Sequence, residues 1–259
     1  YSFFRSIFSG GQEVLIEGFG FHPSADITAE YGYGDMYTAM ACTVIVDHFS
    51  VRCLTDAGTG KNLPWKIVVG GQTSMTHTTS NCSYGTPVIT SITGNGANDA
   101  DTSGGQTITL KGDNFGPLGT TVYATYGVVS NNNDGDDNDD DGNVIQRTQF
   151  LASGCMVTGE GHTEISCVTS AGVGRPLFWT VSVNGQNSTV PTTSYARPIF
   201  TNVTDVNGNA LTSLSTKGNQ IINIHGSYFG RLGADADVVS VTYGVDGTSY
   251  SAIGCTVLS

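Results

Sequence analysis

Apolar and polar side chains alternate with a period of two along most of the chain. Two clear examples are 106–111 (Gln-Thr-Ile-Thr-Leu-Lys) and 220–225 (Gln-Ile-Ile-Asn-Ile-His). Successive side chains of a β-strand point to opposite faces, so this period predicts strands with one buried face. We find no segment with the apolar period and the caps of a helix. Short strands separated by Gly and Asn, about seven per hundred residues, predict an all-β fold of sandwiches.

A set of landmarks recurs along the chain. Three turns that combine Gly with an aromatic residue lie at 17–21, 112–116 and 226–230, and each precedes a Tyr-Gly pair and then a cysteine. In the first two copies a second cysteine and a tryptophan follow, and both Cys53 to Cys167 and Trp65 to Trp179 span 114 residues. Several landmarks at nearly one offset predict internal repeats. The Tyr-Gly pairs begin at Tyr31, Tyr126 and Tyr243, and the first cysteines are Cys42, Cys155 and Cys255.

These landmarks divide the chain into three predicted repeats, residues 1–85, residues 86–196 and residues 197–259. The second repeat carries an Asn/Asp-rich insertion at about 130–143, and the third is truncated after its cysteine. Linkers of only a few residues predict units joined end to end as a linear rod, in which each unit contacts mainly its neighbours. Incomplete repeats at both ends indicate a longer array.

The second and third copies open alike, with 87–92 (Pro-Val-Ile-Thr-Ser-Ile) and 198–203 (Pro-Ile-Phe-Thr-Asn-Val). The second continues with 103–116, which runs Ser-Gly-Gly-Gln-Thr-Ile-Thr-Leu-Lys-Gly-Asp-Asn-Phe-Gly. This pattern resembles the immunoglobulin-like, plexin, transcription factor (IPT/TIG) repeat, in the style of large fibrocystin-like extracellular proteins. The resemblance implies tandem immunoglobulin-like β-sandwiches. It implies less about function, because such repeats occur in plexin-like receptors, fibrocystin-like surface proteins, Rel-type transcription factors and accessory modules of starch-acting enzymes.

Composition narrows the functional classes. Only 12% of residues are charged and the net charge is −12, which argues against nucleic acid as a partner. Ser and Thr together number 57, so attached sugars are an expected source of solubility. The apolar runs are only as long as strands, so we expect no membrane span in this segment.

The six cysteines contain no CxxC pair and the five histidines are scattered, which argues against zinc. Cys42 and Cys53, and Cys155 and Cys167, lie 11 and 12 residues apart on neighbouring predicted strands. We predict a disulfide in each pair, worth roughly 3 kcal/mol in the chain-entropy description. The alternative is buried free thiols. Disulfides would indicate an oxidising compartment, so we expect a secreted or cell-surface protein.

Two cysteines remain. Cys255 is expected to pair with a residue beyond the end of this chain. Cys82 aligns with Thr193 and is either a free thiol or a cross-link to something outside the fragment. Trp65 and Trp179 are expected in the cores beside the disulfides, with a ligand-stacking role as the alternative.

The insertion contains D-x-D-x-D-G, in which Asp137, Asp139 and Asp141 could converge on one calcium ion. Thr148 stands where an EF-hand has its bidentate Glu, and the flanks are predicted strands, so this is not an EF-hand. The segment is either a weak calcium site or a solvated acidic loop.

Three Asn-x-Ser/Thr sequences, at Asn81, Asn187 and Asn202, lie near the edges of the repeats and predict N-linked glycans. Ser and Thr clusters at 76–80 and 189–194 are either O-linked sites or ordinary polar strand faces.

No nucleophile elbow, Walker loop or zinc-protease motif occurs, and the Gly-rich turns recur once per repeat, as fold-defining turns do. We therefore predict no enzyme. The sequence favours a glycosylated extracellular fibre, stalk or coat, whose partners are neighbouring repeats and other copies in filaments. The alternatives are the ectodomain of a receptor or adhesin that binds a protein or glycan, and the accessory module of a carbohydrate-active enzyme.

Overall fold

The computed structural model describes residues 10–34, 36–75, 82–129, 146–188, 192–233 and 240–258. Within these ranges it contains nineteen β-strands and no helix, so the prediction of an all-β chain is confirmed there. No helix long and apolar enough to cross a membrane is present in this part of the chain.

The first unit contains six strands in the spatial order β1-β4-β3-β2-β5-β6, all antiparallel. The strands form two layers, one with β1 and β4 and the other with β2, β5 and β6. β3 belongs to both layers, because it pairs with β2 through its first residues and with β4 through the rest. The change of layer falls at Ala41, where φ is 49° and the register shifts, as in a β-bulge. The strands are β1 (Glu13–Phe21), β2 (Ile27–Tyr31), β3 (Tyr37–Val46), β4 (His48–Leu54), β5 (Trp65–Val69) and β6 (Gln72–Thr73).

The second unit is a sandwich of two sheets, β11-β12-β8-β7 and β10-β9-β13-β14, with β15 also paired to β13. Here the layer-crossing strand is divided into β10 and β11, which are separated by Ala152. Its core combines Ile108 and Leu110 from one sheet with Trp179 and Val181 from the other, all with no exposed surface. The strands are β7 (Val88–Gly94), β8 (Thr107–Asp113), β9 (Tyr123–Val129), β10 (Gln146–Leu151), β11 (Ser153–Thr158), β12 (Glu164–Val168), β13 (Leu177–Val183), β14 (Gln186–Asn187) and β15 (Thr192–Thr193).

The third unit, as far as it is described, consists of two hairpins. The strands are β16 (Ile199–Thr204), β17 (Asn223–Ser227), β18 (Val241–Tyr243) and β19 (Tyr250–Ala252). Its apolar side chains are largely exposed, among them Phe200 and Ile221, whereas the two core clusters fall within residues 14–84 and 89–195.

The structure corrects the alignment of the aromatic turns. A phenylalanine ring packs over a glycine three residues earlier in each unit. The pairs are Gly18 with Phe21, Gly112 with Phe115, and Gly226 with Phe229. Gly18 and not Glu17 is therefore the counterpart of Gly112, and the first turn is shifted by one residue from the alignment that the sequence pattern favoured. The pattern Gly-Phe-Gly-Phe was ambiguous, since only burial of Phe21 shows which ring enters the core.

Candidate functional site at the junction of the first two units

An aromatic pair is stacked in the core of each of the first two units. Tyr31 and Trp65 have ring centroids 4.3 Å apart and an interplanar angle of 8°, and Tyr126 and Trp179 have 4.1 Å and 12°. Both tryptophans are buried, as predicted. An aromatic pair of this kind adds about 0.5–1.5 kcal/mol to the burial of the rings.

A second tyrosine completes a hydrogen-bond network in the first unit. The Tyr31 hydroxyl accepts a hydrogen bond from the backbone amide of Asp56 at 2.8 Å, and it lies 2.7 Å from the Tyr84 hydroxyl. Tyr84 in turn donates to the carbonyl of Asp56 at 2.6 Å. Burial raises the pKa of both Tyr31 and Tyr84, so both phenols stay neutral and keep these bonds.

The same network recurs in the second unit. The Tyr126 hydroxyl accepts a hydrogen bond from the backbone amide of Ser170 at 2.9 Å, and the Tyr195 hydroxyl donates to the Ser170 carbonyl at 2.7 Å. The two hydroxyls lie 2.7 Å apart. Burial likewise raises the pKa of Tyr126. Tyr84 and Tyr195 are 111 residues apart, and this spacing was the signal in the sequence that would have identified them.

The hairpin turn after Trp179 contacts the first unit directly. Gln186 is buried, and its Nε2 donates to the backbone carbonyl of Tyr84 at 3.0 Å. Asn184 Nδ2 reaches the carbonyl of Thr59 at 3.4 Å. Asn184-Gly185 is a typical hairpin-turn sequence, and in the structure this turn is a contact between units.

The aromatic turn of the second unit meets the same surface. A Cβ on Gly116 would lie 2.5 Å from Cγ2 of Thr59, and φ at Gly116 is 93°. Only glycine fits both the space and the left-handed backbone at this position.

The third unit meets the second through its own aromatic turn. Arg231 follows Gly230 as Pro117 follows Gly116, and its guanidinium carbon lies 5.9 Å from the ring centroid of Phe150. Phe150 packs edge-on against Tyr195 at 5.7 Å, as Tyr37 packs against Tyr84 at 5.5 Å. The aromatic turn of a unit thus lies against the preceding unit at both junctions.

A shallow groove of about 170 Å³ opens at the first junction. Tyr33 is 69% exposed there, and Lys61, Asn62 and Asn184 also line the groove. An aromatic face beside hydrogen-bonding groups can stack on and hydrogen-bond a polar ligand. Within the described ranges no three His, Cys, Asp or Glu residues converge as they would around a metal ion.

Both predicted disulfides are present, Cys42–Cys53 between β3 and β4, and Cys155–Cys167 between β11 and β12. Cys82 and Cys255 are free thiols in the structure. Cys82 occupies the place of Thr193, because Trp179 Nε1 donates to Thr193 Oγ1 at 2.7 Å and Trp65 hydrogen-bonds to Cys82. Burial raises the pKa of the Cys82 thiol, which makes it less nucleophilic.

The remaining predicted site residues divide into two groups. Asn187 on β14 and Asn202 on β16 are exposed, so both amides are open to solvent. Asn81 and the candidate calcium ligands Asp137, Asp139 and Asp141 lie outside the described residues.

Comparison with known families gives one match: an IPT/TIG domain occupies residues 87–196. The match begins at the opening Pro87 and ends just after Tyr195, so it covers the whole second unit. No curated protein sequence matches the chain.

Proposed function

We propose that this chain, with its IPT/TIG domain at residues 87–196, is a non-catalytic segment of an extracellular fibre, stalk or coat. In this proposal immunoglobulin-like units are stacked end to end, and further copies assemble into filaments. One observation carries it: the buried hydrogen bond from Gln186 to the Tyr84 carbonyl joins two units without a flexible spacer. The two disulfides support an extracellular or cell-surface location.

The short connection between the units supports a stiff joint. Thr86 lies between Tyr84 and β7, and its carbonyl accepts a hydrogen bond from Asn114 Nδ2 of the second unit. The residues on either side of the linker are thus held by side chains of the same unit, Gln186 and Asn114. Rotation about the joint would break the bond from Gln186 to the Tyr84 carbonyl, so we propose that this bond restricts the angle between the units.

Small-angle X-ray scattering of the Gln186→Ala variant tests this joint. The whole chain should give an elongated particle of narrow size distribution, and Gln186→Ala should broaden that distribution without lowering the melting temperature of either unit by more than a few degrees. Gln72 is the matched control, since it stands at the same place of the first unit's hairpin and is exposed. A compact particle for the unmodified chain, or equal broadening by Gln72→Ala, would contradict the proposal.

Sugars and calcium belong to the same proposal. We propose N-linked glycans on Asn81, Asn187 and Asn202, and intact-mass analysis of protein from its native source should show hexose increments that peptide-N-glycosidase removes. We also propose calcium binding at the acidic insertion. A chelator should then lower the melting temperature, and an unchanged value would remove calcium from the account.

The junction groove favours a second candidate function, the ectodomain of a receptor or adhesin that binds a protein or glycan ligand. Exposed aromatic side chains next to amides are typical of binding surfaces. Screening the whole chain against a glycan array tests this candidate. Binding that is lost in Tyr33→Ala and kept in Tyr123→Ala, the same change at a side chain that is 60% exposed, would favour the ectodomain over the fibre.

A further inference from the structure

An apolar patch lies on the outer face of the first unit, around the hairpin of β3 and β4. Phe19 of β1 is 86% exposed and Phe49 of β4 is 51% exposed, and their rings pack edge to face with centroids 5.6 Å apart. Ile45 and Val46, at the end of β3, are each about half exposed, and Val46 pairs with Ser50, the residue after Phe49. We call Phe19, Ile45, Val46 and Phe49 the hairpin patch.

The second unit is polar at the same place. Phe19 corresponds to Asp113, because each directly follows the glycine over which a phenylalanine ring packs. Phe49 corresponds to Thr163, because the next residue of each strand pairs with β1 or β8 at the same register position. Polar residues or glycine occupy all four counterpart positions, which are Asp113, Thr158, Gly159 and Thr163. The fold therefore does not require apolar side chains at these places.

These positions stay open to solvent in a unit that has both an opening strand and a preceding unit. The second unit has its opening strand, β7, and it has the first unit before it. Asp113 and Thr163 are nevertheless exposed. An opening strand and a preceding unit arranged in this way would leave Phe19 and Phe49 uncovered, so the exposure of the hairpin patch belongs to its position in the fold.

The size of the hairpin patch suits a contact between proteins. Its four side chains expose roughly 400–500 Å², and the largest apolar patch on an ordinary monomer, about 300–600 Å², is often functional. Face-to-face contact of two such patches would bury about twice that area. Together with a polar rim, such a contact reaches the ~1,000 Å² that a specific interface needs.

The charges beside the hairpin patch favour a second copy as its occupant. Glu17 of β1 and Arg52 of β4 lie on the same outer face, close in sequence to Phe19 and Phe49 respectively. Arg52 is ion-paired with the exposed Glu13 at 3.5 Å, and Glu17 has no cationic partner among the described residues. A two-fold axis that runs between β1 and β4, parallel to them, exchanges the two strands across the contact. Such an axis brings Glu17 of each copy over β4 of the other, next to Arg52, so the surface is self-complementary in charge.

We propose that the hairpin patch binds the hairpin patch of a second copy of this chain, about a two-fold axis of this kind. Phe19 of each copy then packs against the partner's Phe49, and Glu17 faces the partner's Arg52. A dimer of this kind buries the same surface on both subunits, which is the commonest arrangement of soluble oligomers. The inference rests on the proposed assembly of copies, and it names the surface through which two copies associate.

Sedimentation velocity of the whole chain over a range of concentrations tests this contact. We expect a monomer–dimer equilibrium in the micromolar range, because a contact of this size without a deep pocket has modest affinity. Phe19→Asp and Phe49→Thr, which introduce the residues of the second unit at these positions, should each weaken the dimer at least about tenfold. Tyr123→Thr is the matched control, because Tyr123 is 60% exposed and the first unit has Thr28 at that position. It should change the dimerisation constant by less than about threefold.

Exchange of the two charges tests the geometry of the pairing. Glu17→Arg alone and Arg52→Glu alone each place like charges opposite one another twice in the dimer, so each should dimerise several-fold more weakly than the parent. In an equimolar mixture of the two variants, the mixed dimer has opposite charges at both places. It should form about as tightly as the parent dimer, and a fluorophore on one variant makes it visible in sedimentation.

Three results would overturn the inference. The first is a chain that stays monomeric at every concentration; if that monomer pelleted with phosphatidylcholine vesicles and Phe19→Asp did not, lipid would be the occupant. The second is equal weakening by Tyr123→Thr, which would place the contact on the second unit. The third is a mixed dimer no tighter than either charge variant alone, which would exclude the two-fold pairing. None of these results changes the shape of the monomer or its response to Gln186→Ala, so the proposed rod and this contact can fail separately.

Discussion

The buried hydroxyl of Tyr126 provides a direct measure of what the tyrosine network contributes. Tyr126 is 1% exposed, and the amide of Ser170 donates to its hydroxyl. The change Tyr126→Phe keeps the ring stacked on Trp179 and removes only this oxygen. The Ser170 amide then has no acceptor at that position, and Tyr195 loses its bond to the Tyr126 hydroxyl while it keeps its bond to the Ser170 carbonyl.

The expected loss follows from these contacts. Because the Ser170 amide is only part-buried, leaving it without its acceptor costs about 1–2 kcal/mol, and the lost bond between the hydroxyls adds about 1 kcal/mol. We therefore expect Tyr126→Phe to lower the free energy of unfolding of the second unit by about 2–3 kcal/mol. For a unit of this size that corresponds to a fall of about 8–12 °C in melting temperature.

Urea unfolding followed by fluorescence measures this loss. The chain has two tryptophans, one in each of the first two units, so a Trp65→Phe background makes Trp179 the reporter of the second unit. Tyr123→Phe is the control, because that side chain is 60% exposed and its change should stay within about 0.5 kcal/mol. A loss below about 0.5 kcal/mol for Tyr126→Phe would refute the assignment of the network as a stabilising element.

Three further predictions concern single groups. Replacing Cys155 and Cys167 by Ser should cost the second unit roughly 3 kcal/mol in urea unfolding, and a reductant that leaves the midpoint of the unmodified chain unchanged would contradict this. Cys82→Thr should unfold at the same or higher urea than the unmodified chain, because a hydroxyl accepts the indole N–H better than sulfur does; a midpoint below that of Cys82→Val would contradict it. The hydrogen bond from Ser249, with the amide of Thr248, lowers the pKa of Asp246 to about 2. The ionised Asp246 carboxylate therefore contributes its full stabilisation above the unfolded pKa near 4, and this contribution is lost as the pH falls toward 2. A carbon-13 titration of the Asp246 carboxylate should show a midpoint well below 3.8.

Much of the fold follows from local pattern. The alternation in 106–111 predicted β8, and two cysteines on adjacent strands predicted each disulfide, because a hairpin brings such positions within bonding distance. Ala41 was harder to interpret, since a bulge that moves β3 from one layer to the other leaves no trace in hydrophobic period. Its counterpart Gly154 also has a positive φ, but a single glycine among 35 carries little information by itself.

The junction was the part that the sequence predicted least. Asn184 and Gly185 form a typical hairpin turn and Gln186 begins β14, and an exposed hairpin could have the same sequence. The partners of Asn184 and Gln186 are backbone carbonyls of Thr59 and Tyr84, which every residue possesses. Contacts of side chains with distant backbone leave no pairwise signature, so this interface could be recognised only after the chain had been folded.

The position of each disulfide determines how the protein would respond to force. The two cysteines of each bond stand 11 or 12 positions apart in a hairpin. When a chain is pulled by its ends, residues enclosed by a covalent loop cannot straighten, which at about 3.3–3.6 Å per residue withholds roughly 35–40 Å of contour length from each unit. A thiol reductant would break the disulfides and free this extra contour length. The redox state of the surroundings therefore determines how far this segment can stretch under load.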